Sequence, residues 1–562
     1  MKSDALRQKF LEYFEKNGHK IVPSSSLLPT DPSVLFTTAG MQQFKPYYIG
    51  EKSPYGNKVA SCQKCIRTSD IEEVGDERHL TFFEMLGNFS FAASAESFGE
   101  GGAGYFKEEA IKLAYDFIVK ELKLEIDYVT VFKGDENVPE DKESFEIWKK
   151  LGVSENKIKK EGADNFWGPT GDEGPCGPTT EIYVNGIEIW NIVFNQYFCD
   201  KNKKLENLKT PGIDTGMGLE RLAMVMQKVL TVFETDLFSG IFEMMPAELS
   251  KQKQRIIADH ARAIVFLASE GVKPSNKEQG YILRRLIRRI VVYEFLIKKD
   301  FIRSVIAKVF VDYKKIYEEI NPQLIVDEYV REEKKFLETL EKGIAEYNKI
   351  KDINAEKAFY LYQSFGLPFD ILKELDAEKT KNLKREDFES ELKKHQKLSR
   401  TASAGMFKGG LADASEQTTK LHTATHLLLA GLRKVLGDEV LQKGANITAE
   451  RIRFDFSHKE KMTSGQIGDV ENFVNGIIKK DMPVWFEEMN LEKAKGINAM
   501  GVFEHKYGEN VKVYFVGKDA ENVSAEICGG PHVERTGVLG KFKIIKEESS
   551  SAGIRRIKAI LE

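Results

Sequence analysis

Thr81-Phe-Phe-Glu-Met-Leu-Gly-Asn-Phe-Ser-Phe91 is the stretch on which the fold of this chain turns. Its density of aromatic and apolar side chains predicts a buried strand. Two arginines stand upstream of it: Arg67, just after Cys62-Gln-Lys-Cys65, and Arg78. A guanidinium donates in a planar fork and keeps its charge, which suits a phosphate, while an exposed phenyl face can stack on a purine. Farther on, Asp214-Thr-Gly-Met-Gly-Leu-Glu-Arg221 sets a carboxylate, two glycines and an arginine where a strand would enter a helix. Glycines there let a ligand come close to the backbone. A strand, a turn and a helix with ordinary surface arginines would account for the same residues.

Around this region the text from Met1 to about Thr235 mixes a few helices with short aromatic strands such as Tyr128–Phe132 and Glu188–Phe194, separated by Gly/Pro turns. This predicts a large antiparallel sheet with helices, an α+β architecture. Residues 236–398 turn helical, with apolar spacing of three and four over Ile256–Ser269, Tyr281–Lys298 and Pro322–Tyr347. Residues 399–418, rich in glycine and small side chains, read as a linker, and 419–562 as a further α+β domain. With 562 residues the chain has scope for several cores. A net charge of -4 gives no global reason to bind nucleic acid, so any such binding must use local patches. Five cysteines with one close pair are not a secreted disulfide framework, and no segment reads as a signal core or membrane span. A cytoplasmic protein is expected.

The last domain carries two segments that belong together, His422-Thr-Ala-Thr-His426 and Cys528-Gly-Gly-Pro-His532. The histidines of the first are four apart on a predicted helix, Thr419–Leu436, so both imidazoles leave one face. The glycines and Pro531 of the second suit a turn that brings Cys528 and His532 round to complete a tetrahedral zinc shell. A polar helix face and a glycine turn with an idle cysteine is the plainer alternative.

These motifs in order resemble an alanyl-tRNA synthetase of class II. Arg67, Arg78 with Thr81–Phe91, Asn165-Phe-Trp167, Gly171-Asp-Glu-Gly-Pro-Cys-Gly-Pro178, Glu188–Phe194 and Asp214–Arg221 are similar to that family's adenylation domain, and the zinc segments to its editing domain. The resemblance covers the whole chain. It implies a class II antiparallel sheet with helices (1–235), a helical tRNA-recognition domain (236–398) and a zinc-binding editing domain (419–562). It implies ATP-dependent activation of L-alanine to alanyl-adenylate and transfer to tRNA(Ala), with ATP accompanied by Mg2+. Arg67 and Arg221 are the implied catalytic residues, joined by Arg78 and Phe83 in holding ATP, with Phe83 stacking the adenine. Trp167, Asn191, Val193 and Asp214 are the implied alanine site, with Asp214 on the ammonium group. A pocket for a methyl group discriminates poorly against an added hydroxyl, so hydrolytic editing of seryl- or glycyl-tRNA(Ala) is expected. There the resemblance implies one Zn2+ on His422, His426, Cys528 and His532, with Thr425 and Gln442 in the pocket wall. A filled shell would make the ion an organiser unless one ligand is loose.

The chain also departs from the family. Only Lys397–Lys420 stands where relatives carry a β-barrel, and Pro531 stands where they have threonine. The loop after Arg67 lacks a lysine seen in many bacterial relatives. The chain ends at Gly553-Ile-Arg-Arg-Ile-Lys-Ala-Ile-Leu-Glu562, where relatives continue into a further domain, so a monomer is expected. Arg284, Arg285, Arg288 and Arg289 recur along one side of a helix and would line acceptor-stem phosphates, or form a solvated charged face. At the positions where relatives read a wobble pair, this chain has Val292-Tyr-Glu-Phe295 and Leu361-Tyr-Gln363. Two patterns compete for attention. Gly99-Glu-Gly-Gly-Ala-Gly104 fits a dinucleotide-binding turn but reads better as an insertion, and Cys62-x-x-Cys65 lacks the partner pair that a zinc site needs. A tRNA-binding or amino-acid-sensing protein without ligase activity, or a deacylase alone, is a competing function; retention of Arg67, Asp214 and Arg221 together argues against both.

Overall fold

The Asn185-Gly186 pair takes left-handed backbone angles, φ 52° and 70°, the twist that a two-residue hairpin requires. It joins two long neighbouring strands of a nine-stranded sheet. The computed structural model describes residues 1–91, 104–376, 378–404, 415–497, 499, 510–518, 523–551 and 553–562. The strands of this sheet are β1 (Lys20–Ile21), β2 (Lys58–Ile66), β3 (Phe82–Ser90), β4 (Tyr128–Phe132), β5 (Ile158–Glu161), β6 (Phe166–Trp167), β7 (Gly174–Val184), β8 (Ile187–Cys199) and β9 (Leu205–Gly218). They run in the order β1-β2-β3-β9-β8-β7-β4-β5, with β6 against β7. Neighbours are antiparallel except at the edges, where β1 lies parallel to β2 and β4 to β5.

Side chains alternate across a strand, so the register decides which residues share a face. Met85 pairs with Gly218, Asn191 with Gly216, Val193 with Asp214 and Glu181 with Asn191. These residues, with Phe83, therefore form one surface. The opposite surface is closed by the helix Ser3–Lys16, whose Phe10 and Phe14 meet Trp190 and Phe117 at ring separations of 5.4 to 6.4 Å.

Packing groups the described residues into two units, Met1–Arg385 and Glu386–Glu562. The first therefore includes the helices Lys251–Ser269, Glu278–Ile297, Ile302–Lys314 and Pro322–Lys349 together with the sheet. Phe82 of β3 stacks on Phe266 at 4.1 Å, and the Thr81 N–H donates to Asp259 Oδ1 at 2.8 Å. Thus the change of pattern near residue 236 marks a change of secondary structure, and the packing is continuous across it.

The second unit sets the helices Glu416–Leu436 and Ser464–Lys479 against β10 (Gln442–Ile447), β11 (Ile452–Ser457), β12 (Val484–Asn490), β13 (Asn510–Val516), β14 (Ser524–Ile527), β15 (Phe542–Ser551) and β16 (Ile554–Leu561). These strands form one sheet in the order β10-β11-β16-β15 and another in the order β12-β13-β14. Leu421, Leu428 and Leu432 recur on one face of the first helix and meet Val470, Val474, Phe454 and Phe456 in the core. Ser415 caps that helix, its hydroxyl accepting from the Thr418 N–H at 3.3 Å. Residues 399–404 of the expected linker are helical, as the end of Arg385–Ala404, and 416–418 open the next helix. Residues 405–414, and all of the turn candidate Gly99–Gly104 except Gly104, lie outside the described residues. Among the described residues no helix is long and apolar enough to cross a membrane.

Candidate active site and metal centre

The open face of the nine-stranded sheet carries a cavity of about 250 Å3. Its walls include Arg67, Arg78, Phe83, Trp167, Asn191, Val193, Asp214 and Arg221. Strand alternation supplies Phe83, Asn191, Val193 and Asp214, while Arg67 and Arg78 come from the loop between β2 and β3. Trp167 is placed by β6, where it pairs with Gly177 of β7, and Asn165, two residues before it, anchors the approach with a buried amide that donates to Thr130 Oγ1 at 2.8 Å and Thr179 Oγ1 at 3.0 Å. Gly216 keeps the floor low: a Cβ there would lie 2.9 Å from the Met85 sulfur.

The charges are unevenly matched. Asp214 is buried, and among the described residues no hydrogen bond or ion pair reaches its carboxyl group. Burial pushes its pKa up to about 8. Such a group calls for a cation. Asn191 donates to Glu181 Oε1 at 3.3 Å, while its own Oδ1 is buried without a partner. Arg221 donates to Glu188 at 2.7 Å, and the Arg67 guanidinium lies over the Phe83 ring, 5.0 Å from its centre. Glu181 and Glu188 both line the cavity and escaped the sequence reading. Burial, reinforced by the negative charge of Glu188, raises Glu181 to about 7. Their only signal in the sequence was position: Glu181 alternates with Thr179 on a strand, and Glu188 opens the Glu188–Phe194 stretch.

In the second unit the ligand atoms of His422, His426, Cys528 and His532 all lie within 4.8 Å of one another. The helix turn stacks His422 over His426, and Cys528 Sγ comes within 3.4 Å of His422 Nε2. His422 Nδ1 meets the Pro531 carbonyl at 2.9 Å and His426 Nδ1 meets Glu526 at 3.0 Å, contacts that turn both Nε2 atoms inward. His532 Nε2 is buried without a partner. Burial opposes ionisation of Cys528, but hydrogen bonds from His422 and His426, with the charge of His426, outweigh it and bring the thiol down to about 2. Burial takes His532 down to about 3, leaving a neutral imidazole. Burial opposes a charge on His426, but Glu526 and Cys528 outweigh it and raise its pKa to about 10, so a metal entering here would displace that proton. One thiolate and three imidazoles converging on one point are the donor set of a tetrahedral zinc site, so the residues fit that ion. Thr425 lies between the histidines with its hydroxyl on the Leu421 carbonyl at 2.9 Å, and Gln442 pairs with Phe456 at the start of β10.

The four arginines of Glu278–Ile297 are placed differently from an open phosphate stripe. Arg284 and Arg288 share Glu332 at 3.4 and 2.7 Å, Arg285 pairs with Asp370 at 2.7 Å, and Arg289 pairs with Glu374 at 3.2 Å. Their side chains are 16, 15, 13 and 4% exposed, in the order Arg284, Arg288, Arg285, Arg289. The acids that hold them are distant in sequence, so the spacing of the arginines alone does not reveal these pairs. Cys62 and Cys65 are buried free thiols three apart on β2, hence on opposite faces and unable to share an ion.

Comparison with known proteins agrees with this geometry. Residues 5–462 match the family described as tRNA synthetases class II (A), and residues 511–558 the threonyl and alanyl tRNA synthetase second additional domain. The alanine–tRNA ligase of Borreliella afzelii (strain PKo) is 44% identical over 606 aligned residues, covering 100% of each chain. That of Treponema denticola is 45% identical over 614, covering 100% of this chain and 99% of its own. That of Petrotoga mobilis is 36% identical over 716, covering 99% of this chain and 79% of its own.

Proposed function

We infer the roles of the two sites from one premise, that the chain belongs to the class II alanyl-tRNA synthetases: it ligates alanine to tRNA(Ala) at the expense of ATP and edits mischarged products. The observation that carries the assignment to the cavity is the pairing of an unpartnered buried carboxyl, Asp214, with two guanidinium groups, Arg67 and Arg78, around one small space. Asp214 takes the ammonium group of alanine. Trp167, Asn191 and Val193 enclose its methyl group. The alanine carboxylate then attacks the α-phosphorus of ATP, forming the C–O–P bond of the adenylate as the bond to pyrophosphate breaks. Arg67 receives the charge that grows on the α-phosphate, Arg78 and Arg221 hold the outer phosphates, and Phe83 offers its ring to the adenine. Mg2+, when bound with ATP, neutralises phosphate charge; Glu181 and Glu188 are the cavity carboxylates suited to a hard cation. In the second step the terminal ribose hydroxyl of the tRNA attacks the alanyl carbonyl and AMP leaves.

Serine fits the same space with one more hydroxyl, and the unpartnered Asn191 Oδ1 would accept it. A single site therefore discriminates weakly, which is the physical reason for a second, hydrolytic one. We assign that step to the second unit, where His422, His426, Cys528 and His532 would hold zinc, with Thr425 and Gln442 in the pocket wall. Bound by all of them, the ion would order the Cys528–His532 turn against the helix. Alanine-dependent exchange of pyrophosphate into ATP tests the first assignment, and release of serine from seryl-tRNA(Ala) tests the second. Folded protein without exchange would sink the ligase reading.

A further inference from the structure

Two of the four arginines that the sequence offers to tRNA, Arg285 and Arg289, point at the loop that carries Arg67 and Arg78. This loop leaves β2 and returns to β3, closed at its base by the Arg67 N–H on the Thr81 carbonyl at 3.0 Å. Arg289 Nη1 donates to the Ile71 carbonyl at 3.0 Å. Arg285 and Arg385 converge on Glu72, and both also hold Asp370, at 2.7 and 2.9 Å. Arg255 caps the Gly75 and Asp76 carbonyls at 3.3 and 3.0 Å. At the far end Asp259 Oδ1 accepts the Thr81 N–H at 2.8 Å. Behind it, His260 bridges Asp259 Oδ2 at 2.9 Å and Arg289 Nη1 at 3.3 Å. Because a guanidinium only donates, His260 Nε2 accepts and its Nδ1–H is donated to Asp259. Arg289 thus holds the loop directly at Ile71 and, through His260 and Asp259, at Thr81. Gly75 shows how tightly the middle is seated: at φ 121° it rests on Lys251–Ser269, where a Cβ would lie 3.0 Å from Gln252 and 3.2 Å from Ile256.

We propose that Arg255, Arg285 and Arg289 are positioning residues for adenylate formation, holding the 67–81 loop so that Arg67 and Arg78 meet the nucleotide together. The proposal rests on reading the cavity as the adenylation site. Left to itself, a polar loop of this length would sample many conformations, and a misplacement of about 1 Å in a transition-state donor is enough to cost catalysis heavily. Alanine, seated on Asp214 and β8, touches none of this scaffold.

The test is pyrophosphate exchange by the full chain carrying Arg255→Ala, Arg285→Gln, Arg285→Lys or Arg289→Lys, with unmodified protein alongside. KM for ATP should rise about fivefold or more while KM for alanine stays within about twofold, with Arg285→Lys closer to the unmodified protein than Arg285→Gln. A merely structural role would lower kcat by reducing the active fraction and leave both KM values in place; that result overturns the proposal. So does normal exchange with impaired charging of tRNA, which would return these arginines to the phosphates. Should Arg289→Lys fail to fold, Arg255→Ala and Arg285→Gln decide. Absence of exchange in the unmodified protein would strike the activity assignment rather than this inference.

Discussion

Asp214 concentrates the conflict between stability and function in one side chain. Its folded pKa, about 8, lies above the ordinary carboxyl value because burial disfavours the charge. The sign of the linkage follows. A group whose pKa is raised on folding binds more protons folded than unfolded, so its contribution is fully present below about pH 4 and is lost as pH rises toward about 8, at up to about 1.4 kcal/mol per unit. The substrate-free protein should therefore lose stability across that window, and Asp214→Asn should flatten the loss and melt a few degrees higher at neutral pH, as calorimetry would show. For alanine the sign is opposite, because the ammonium needs the ionised carboxylate. Between pH 6.5 and 8 the kcat/KM for alanine in exchange should climb toward tenfold per unit, then level, as expected for one ionisation. Asp214→Asn should abolish that slope and lower kcat/KM by roughly 10²–10³-fold, the cost of removing a charged partner from a buried ion. A flat profile in the unmodified protein would sink the assignment. Gly216→Ala makes a quieter point: the new methyl must push the Met85 sulfur from 2.9 Å. That side chain is flexible and moves into the cavity, so KM for alanine or ATP should rise at nearly unchanged melting temperature.

At the scale of elements, helices were legible from their period and strands from their content. The helix Pro322–Lys349 falls where three-to-four spacing puts it, while the strand Tyr128–Phe132, covered on both faces, shows itself by aromatic and β-branched residues between turns. The Glu416–Leu436 helix shows why the metal ligands could also be read: spacing of four sets His422 over His426 whatever the tertiary fold. What stayed hidden depends on long-range pairing. The arginine run in Glu278–Ile297 looks like a stripe until Glu332, Asp370 and Glu374 are brought beside it, and Glu181 acquires meaning only when β7 aligns it with Asn191. The Asn185-Gly186 hairpin sets the first pairs, and a bulge that skips Ile189 then brings Glu181 opposite Asn191; which face becomes a cavity follows from what the rest of the unit leaves uncovered. The metal centre also gives a prediction at this scale. With zinc as the proposed tie between the Cys528–His532 turn and the helix, treatment with a chelator should stop hydrolysis of seryl-tRNA(Ala) and lower a melting transition. Restoring zinc should recover both. Chelator-treated protein with unchanged melting and hydrolysis would overturn the metal assignment.

For the whole molecule, the two sites belong to separate compact units, Met1–Arg385 and Glu386–Glu562. The adenylation cavity draws every residue from the first, and the metal cluster every ligand from the second. Chemically they need nothing in common: one must stabilise negative charge growing on a phosphate, the other must admit water to an ester. Independent lesions should therefore separate them. Arg67→Ala removes a donor made for the transition state, and exchange should fall by roughly 10²–10³-fold, the usual loss for one such donor. Release of serine from preformed seryl-tRNA(Ala) should persist at its original rate. Cys528→Ala should do the reverse, ending hydrolysis and sparing exchange, and the same variant should then accumulate seryl-tRNA(Ala) when serine and ATP are supplied. That accumulation is the sharper measurement, because it requires a working cavity that accepts serine and a failed second site in one molecule. If Arg67→Ala and Cys528→Ala each depressed both activities alike, the two units could not be the separate machines that their packing and chemistry describe.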